Sequence, residues 1–247
     1  MKYLRFTLYS FFIFASALVT SIAQADMIIE STRIIYPETK REVSFRVSNI
    51  NKERATFIQM WLDDGNAAAA PEEAVTPFNL TPPVAKLKAD SSQMVRLVFT
   101  GEPLPTDRES VFYFNMLEVP QKSNEESKLS FAVRTRIKVF YRPKALKGEM
   151  AEQLDKVTWK LVKKDGNWMA EGTNPSVFHL SFFSLTFGGD GKFDVISDGG
   201  MIPPKSTASF VVGAVDKITQ PLKAIKVDFV NDYGGASSKE FPLSADN

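Results

Sequence analysis

Residues 129–143 read Leu-Ser-Phe-Ala-Val-Arg-Thr-Arg-Ile-Lys-Val-Phe-Tyr-Arg-Pro, and they alternate with the period of two that an extended strand imposes on its faces. Leu129, Phe131, Val133, Thr135 and Ile137 share one side, while Ser130, Ala132, Arg134, Arg136 and Lys138 share the other. An apolar stripe on such a strand is either the inside of a sandwich or a surface offered to another chain. Pro143 removes a ladder donor and closes the run. The same grammar recurs along the chain. Residues 42–47 alternate with Val43, Phe45 and Val47 on one face, residues 56–61 split Phe57, Gln59 and Trp61 from Ile58 and Met60, and residues 93–99 carry Val95, Leu97 and Phe99. Further runs at 157–162, 168–171, 178–187, 208–212 and 225–231 repeat it, with Asp165-Gly166 reading as a hairpin turn. Short strands at this spacing predict an all-β chain of β-sandwiches.

The first 25 residues predict a secretory leader. Lys2 and Arg5 supply a positive start, residues 6–19 an apolar stretch too short for a membrane span, and Ala23-Gln24-Ala25 a small-x-small cleavage pattern before Asp26. Two domains are expected after it, at 26–146 and 150–247, with 147–156 as a brief connector. The segment 63–77, with four consecutive alanines at 67–70, reads as an irregular surface loop.

Charge and composition narrow the function classes. The two leader cations come off 30 Lys and Arg, leaving 28 against 29 acidic residues, so no basic face for nucleic acid is expected. With no cysteine, packing must hold the fold without disulfides. One histidine, His179, in a Phe-rich stretch, argues for a packed side chain rather than a catalytic one, and metal sites built from Cys and several His are excluded. Gly188-Gly189-Asp190-Gly191-Lys192 lacks the Walker spacing and reads as a turn. Asn79-Leu80-Thr81 fits a glycosylation sequon, and Thr81-Pro82-Pro83 permits a cis peptide bond. The informative polar residues are cations: Arg33 between Thr32 and Ile34, and Lys138 between Ile137 and Val139. On the residues alone, both read as edge charges that discourage aggregation.

Four motifs in order change that weighting: Thr32-Arg33-Ile34-Ile35-Tyr36-Pro37, Arg108-Glu109-Ser110-Val111-Phe112-Tyr113-Phe114-Asn115, Ile137-Lys138-Val139-Phe140-Tyr141-Arg142-Pro143 and Val230-Asn231-Asp232-Tyr233-Gly234. Together they resemble the periplasmic pilus chaperones, the family of PapD and FimC, over the whole chain after the leader. The resemblance implies two immunoglobulin-like β-sandwich domains set at an angle around a cleft. It implies a non-enzymatic protein of the Gram-negative periplasm, without cofactor or metal, that caps pilus (fimbrial) subunits and delivers them to an outer-membrane usher. By the same resemblance, Arg33 and Lys138 hold the C-terminal carboxylate of a bound subunit. Leu129, Phe131 and Val133 fill the groove left by its missing strand, and Glu109, Arg142 and Asp232 form an ion-pair cluster that orients the domains. The polar connection 120–128 resembles the short-loop branch of the family. Asn174-Pro175-Ser176-Val177-Phe178 departs from the family's Asn-Pro-Thr-Pro-Tyr, and Asn79 stands where a larger apolar residue is common. An exposed strand edge also leaves a self-capping homodimer open. The competing reading from another class is a secreted two-domain adhesive or carbohydrate-binding module.

Overall fold

The computed structural model describes residues 26–119, 132–189, 192–215, 217–218 and 222–245. The expected leader, the 120–128 connection, Leu129 and Phe131 lie outside the described residues.

The first domain contains β1 (Met27–Ile29), β2 (Arg33–Pro37), β3 (Val43–Asn49), β4 (Thr56–Asp63), β5 (Phe78–Thr81), β6 (Val84–Leu87), β7 (Ser91–Phe99), β8 (Ser110–Val119) and β9 (Arg134–Arg142). They form a four-stranded sheet ordered β1-β3-β7-β5 and a five-stranded sheet ordered β2-β9-β8-β4-β6. The expected alternation puts Ile58 and Met60 of β4, Phe114 and Met116 of β8, and Val139 and Tyr141 of β9 into one core, facing Val95 and Leu97 of β7. Tyr36 is fully buried there, and its hydroxyl is satisfied twice: it donates to Arg41 O at 3.0 Å and accepts from Phe99 N at 3.0 Å.

A helical turn, α1 (Met150–Gln153), continues into a 3-10 turn at Leu154–Lys156, and leads into the second domain. That domain contains β10 (Thr158–Lys164), β11 (Asn167–Asn174), β12 (Leu180–Gly189), β13 (Lys192–Ile202), β14 (Ser206–Ala214), β15 (Ala224–Val230), β16 (Ala236–Pro242) and β17 (Ser244–Ala245). Its sheets run β14-β11-β10-β17 and β13-β12-β15-β16. Trp159, Phe178, Leu185, Phe187 and Val227 are buried between them. The predicted hairpin turn joins β10 to β11, with Asp165 at φ 49° and Gly166 at φ 76°, the left-handed pair that a two-residue type I′ turn requires. The Thr81-Pro82 bond is cis.

Two expectations need correction. The strand predicted at 56–61 runs on through Asp63, whose residue is fully buried, so Asp63 is not part of a surface loop. The Asp64-Gly65 turn signal beside it obscured this, because a carboxylate is buried only when partners satisfy it. β9 is also not an edge throughout. From Lys138 to Arg142 it pairs in parallel with β2, and only the half upstream of Lys138 lacks a neighbour on that side among the described residues.

The candidate cleft site

Residues paired across neighbouring strands project to the same face. The register Arg33↔Lys138, Ile35↔Phe140 and Pro37↔Arg142 therefore lines the outer face of the five-stranded sheet with β2 and β9 side chains. β8 and β4 extend the row through Tyr113↔Lys138, Asn115↔Arg136, Trp61↔Asn115 and Asp63↔Tyr113. The second domain sits against one end of this face. Arg33 and Lys138 are thus brought side by side, on strands about 4.8 Å apart.

Arg33 is buried, and its Nη1 donates to Val230 O at 3.0 Å, across the domain boundary. Its Nε has no hydrogen-bond partner among the described residues, and its guanidinium lies 5.5 Å from the Phe140 ring. Burial pushes the Arg33 pKa below its ordinary value, and Asp232 and Glu109 offset this only in part. Lys138 is half-buried, and its ammonium has no hydrogen-bond or ion-pair partner among the described residues. Its pKa is also lowered, first by burial and then by the charges of Arg33 and Arg136.

Glu109, Arg142 and Asp232 also come together. Arg142 Nε donates to Glu109 Oε1 at 2.8 Å, while Nη1 and Nη2 donate to the two Asp232 oxygens at 2.7 and 2.8 Å. Burial disfavours the Arg142 charge, yet the hydrogen bonds and charges of Asp232 and Glu109 outweigh it and hold its pKa above the usual value. The other oxygen of Glu109 accepts from His179 N at 2.9 Å and lies 3.0 Å from His179 Nδ1. Glu109 N donates to Val177 O at 2.9 Å, and the Phe140 and His179 rings meet at 5.5 Å. The single histidine is therefore packed, and it serves the domain junction. No local pattern signals this, because its partner lies 70 residues away. Gly234 closes the same junction. At φ 83°, a Cβ there would lie 2.3 Å from Thr32 Oγ1, so the Asp232–Gly234 turn can approach β2 only with glycine.

Of the three residues expected to fill a partner's groove, Val133 alone is described. It is 40% exposed and joins neither core. Val133 has the parity of Val139 and Tyr141, so the face that packs the core further along runs out into solvent there.

Among the described residues, no group of three or more acidic, His or Cys side chains is placed to hold a metal, and no helix is long and apolar enough to cross a membrane.

This arrangement is a two-domain, all-β protein with a basic pair in the junction between immunoglobulin-like sandwiches. Residues 26–147 match the family model for "Pili and flagellar-assembly chaperone, PapD N-terminal domain", and residues 152–241 that for "Pili assembly chaperone PapD, C-terminal domain". The chain belongs to the PapD family of pilus-assembly chaperones. It is 36% identical over 241 residues to "Chaperone protein HifB" of Haemophilus influenzae, covering 92% of each chain. To "Probable fimbrial chaperone YadV" of Escherichia coli K12 it is 38% identical over 225 residues, covering 88% of this chain and 89% of the relative. The crystal structure of the Pseudomonas aeruginosa CupB2 chaperone superposes with a TM-score of 0.74 at 32% identity, covering 88% of this chain and 100% of that one.

Proposed function

We propose that this chain captures pilus subunits in the Gram-negative periplasm by donor-strand complementation, and hands them to an outer-membrane usher without catalysing any reaction. The observation that carries the reading is Lys138. A half-buried ammonium with no partner among the described residues costs free energy in the isolated protein. Such a charge is retained when an incoming group completes it. Beside it stands Arg33, whose Nε has no hydrogen-bond partner among the described residues. Two cations at one point fit a terminal carboxylate, which accepts charge-assisted hydrogen bonds from both.

The anchor fixes register. A strand slipped by one residue presents its other face, so one charged end-point decides which side chains meet which pockets. Upstream of Lys138 the open side of β9 offers backbone donors and acceptors to a strand laid beside it, in the manner of β-augmentation, of which chaperone–pilin pairing is itself a recognised instance. Val133 leads the apolar side chains of the donor segment, with Phe131 and Leu129 preceding it in sequence. Three such residues contribute at most about 5–9 kcal/mol, before ordering costs. Glu109, Arg142, Asp232 and His179 hold the two domains so that the anchor and the donor edge share one cleft. Cleavage before Asp26 would follow export through the leader.

The test is Lys138→Met, together with Arg33→Ala. Lys138→Met removes an uncompensated charge, so its thermal midpoint stays level or rises while the periplasmic yield of a co-expressed pilin subunit collapses. A Lys138→Met protein that protects the subunit as well as the parent refutes the reading.

A further inference from the structure

Beyond Lys138 the outer side of β9 carries two more arginines, and a carboxylate from β4 holds them. Arg136 grips Asp63 with two donors, Nε at 3.0 Å from Oδ2 and Nη2 against Oδ1. Asn115 Nδ2 donates to Asp63 Oδ2 at 2.8 Å, and Gly65 N donates to Oδ1 at 2.8 Å. With its amide so oriented, Asn115 presents Oδ1 to Arg134, whose Nε and Nη2 donate at 3.0 and 2.7 Å. Arg134 Nη1 reaches Ala67 O at 2.6 Å, in the loop after β4. The two guanidiniums lie over the Trp61 ring at 4.8 Å and the Tyr113 ring at 3.6 Å. Asp63 and Asn115 are each fully buried.

The placement matters because of what is missing beside it. β2 pairs with β9 only from Lys138 onward, so residues 134–137 have a ladder on the β8 side and none on the other among the described residues. A strand held on one side frays at its end. A polar cluster on one face can hold it straight without occupying the open edge, and an edge already extended loses less entropy when a strand pairs with it. Packing alone would be served as well by apolar side chains, since buried ion pairs add little net stability.

We propose that Asp63 and Asn115 are positioning residues for strand capture: through Arg136 and Arg134 they keep the open half of β9 extended, and Arg134 latches the alanine-rich loop to the same point. The inference rests on the chaperone reading, since it assigns the open edge to an incoming strand.

The chain has no cysteine, so Ala132→Cys with a nitroxide gives a clean report of motion where the backbone enters β9. In that background Arg134→Ala raises label mobility severalfold and lowers capture of a co-expressed pilin subunit about tenfold, the scale of a few side chains' ordering cost. The thermal midpoint moves by no more than about 3 °C. Arg134→Lys, which can keep one of the lost bonds, recovers part of both. Asp63→Asn keeps the shape and loses the charge, and shows the same mobility change if it folds; Arg134→Ala decides if it does not. Unchanged mobility, or raised mobility with unchanged capture, overturns the proposal. Arg33→Ala is the parallel control. Capture that survives it defeats the chaperone reading, while the mobility result still decides whether the cluster straightens the edge.

Discussion

Removing the Glu109 carboxylate should uncouple the two domains without unfolding either. The side chain is 1% exposed and makes its bonds at the junction: to Arg142 Nε at 2.8 Å, and to His179 N and Nδ1 at 2.9 and 3.0 Å. Glu109→Ala breaks one charge-assisted bond within the first domain, to Arg142, and across the junction leaves the buried His179 N–H without its acceptor, about 1–3 kcal/mol. Arg142 keeps both bonds to Asp232, so its charge is not stranded. The junction therefore weakens by about 1–3 kcal/mol, a factor of about 5 to 150 in the balance between docked and undocked domains. Glu109→Gln keeps a neutral acceptor for His179 N, the bond that crosses the junction, so its loss should be smaller. Each domain retains its own core, since Glu109 belongs to neither apolar cluster. Nitroxides on introduced cysteines at Lys52 and Lys163 measure the outcome through the interdomain distance distribution. The parent should give one narrow distance, Glu109→Gln a broadened one and Glu109→Ala the broadest. Circular dichroism should show all three as folded β proteins. If the Glu109→Ala distribution overlays the parent's, the cluster does not orient the domains and the argument from burial fails.

Three further outcomes follow from the same structure. Burial pushes the Asp63 pKa up, but hydrogen bonds from Arg136, Asn115 and Gly65 more than offset it and leave it below the usual carboxylate range. Its stabilising contribution is thus complete above the unfolded value near pH 4 and is lost as pH falls through the lower folded value. Glu118 has the opposite sign, raised first by burial and then by Asp26, with Oε1 buried and without a hydrogen-bond partner among the described residues. Its ionisation opposes folding as pH rises, so Glu118→Gln should raise the thermal midpoint at pH 7 and not at pH 4. Glu118→Gln without a gain at pH 7, or Asp63→Asn that still loses stability in acid as the parent does, counts against these assignments. Gly172→Ala should destabilise the second domain by about 1–3 kcal/mol through overpacking, because the new Cβ would meet Ile202 Cδ1 at 2.6 Å and Trp159 Cζ3 at 2.7 Å. Denaturant melts monitored at Trp159 measure it, and an unchanged midpoint refutes it.

The strands that bury one face were legible because burial writes itself as alternation. β9 is the clearest case, with Ile137, Val139 and Tyr141 inward and Lys138, Phe140 and Arg142 outward. β13 was not legible. Gly199 and Gly200 look like breakers, yet a Cβ at Gly199 would lie 2.0 Å from Phe182 O and one at Gly200 2.7 Å from Phe210 Cε1. These glycines record close approach rather than a turn. β16 escaped for a different reason: Ser237, Ser238 and Glu240 are exposed on an edge strand, and Phe241 alone is buried. Within the site, Arg33 and Lys138 were found through motifs rather than pattern. Lone cations in apolar strands look the same whether they guard an edge or await a carboxylate. Asp63, Asn115 and His179 carried no signal, because what makes each matter is a partner distant in sequence.

One strand serves three tasks because its period is two. The odd residues of β9 close the first core at Tyr141 and Val139 and reach solvent at Val133, while the even residues meet Asp63, Arg33 and the second domain in turn. No residue has to serve two faces. The division explains why charge and apolar surface coexist in so short a run without an unpaired charge in the core. It also explains why Phe140 is fully buried although it points away from the core of its own domain: Arg33 covers one side and His179 meets it across the junction. The second domain thus does more than sit beside the first. By covering Phe140 and accepting from Arg33 at Val230 O, it desolvates the ground on which the two cations stand. On the proposed function, a carboxylate arriving there would meet donors already partly stripped of water, where charge-assisted bonds are strongest.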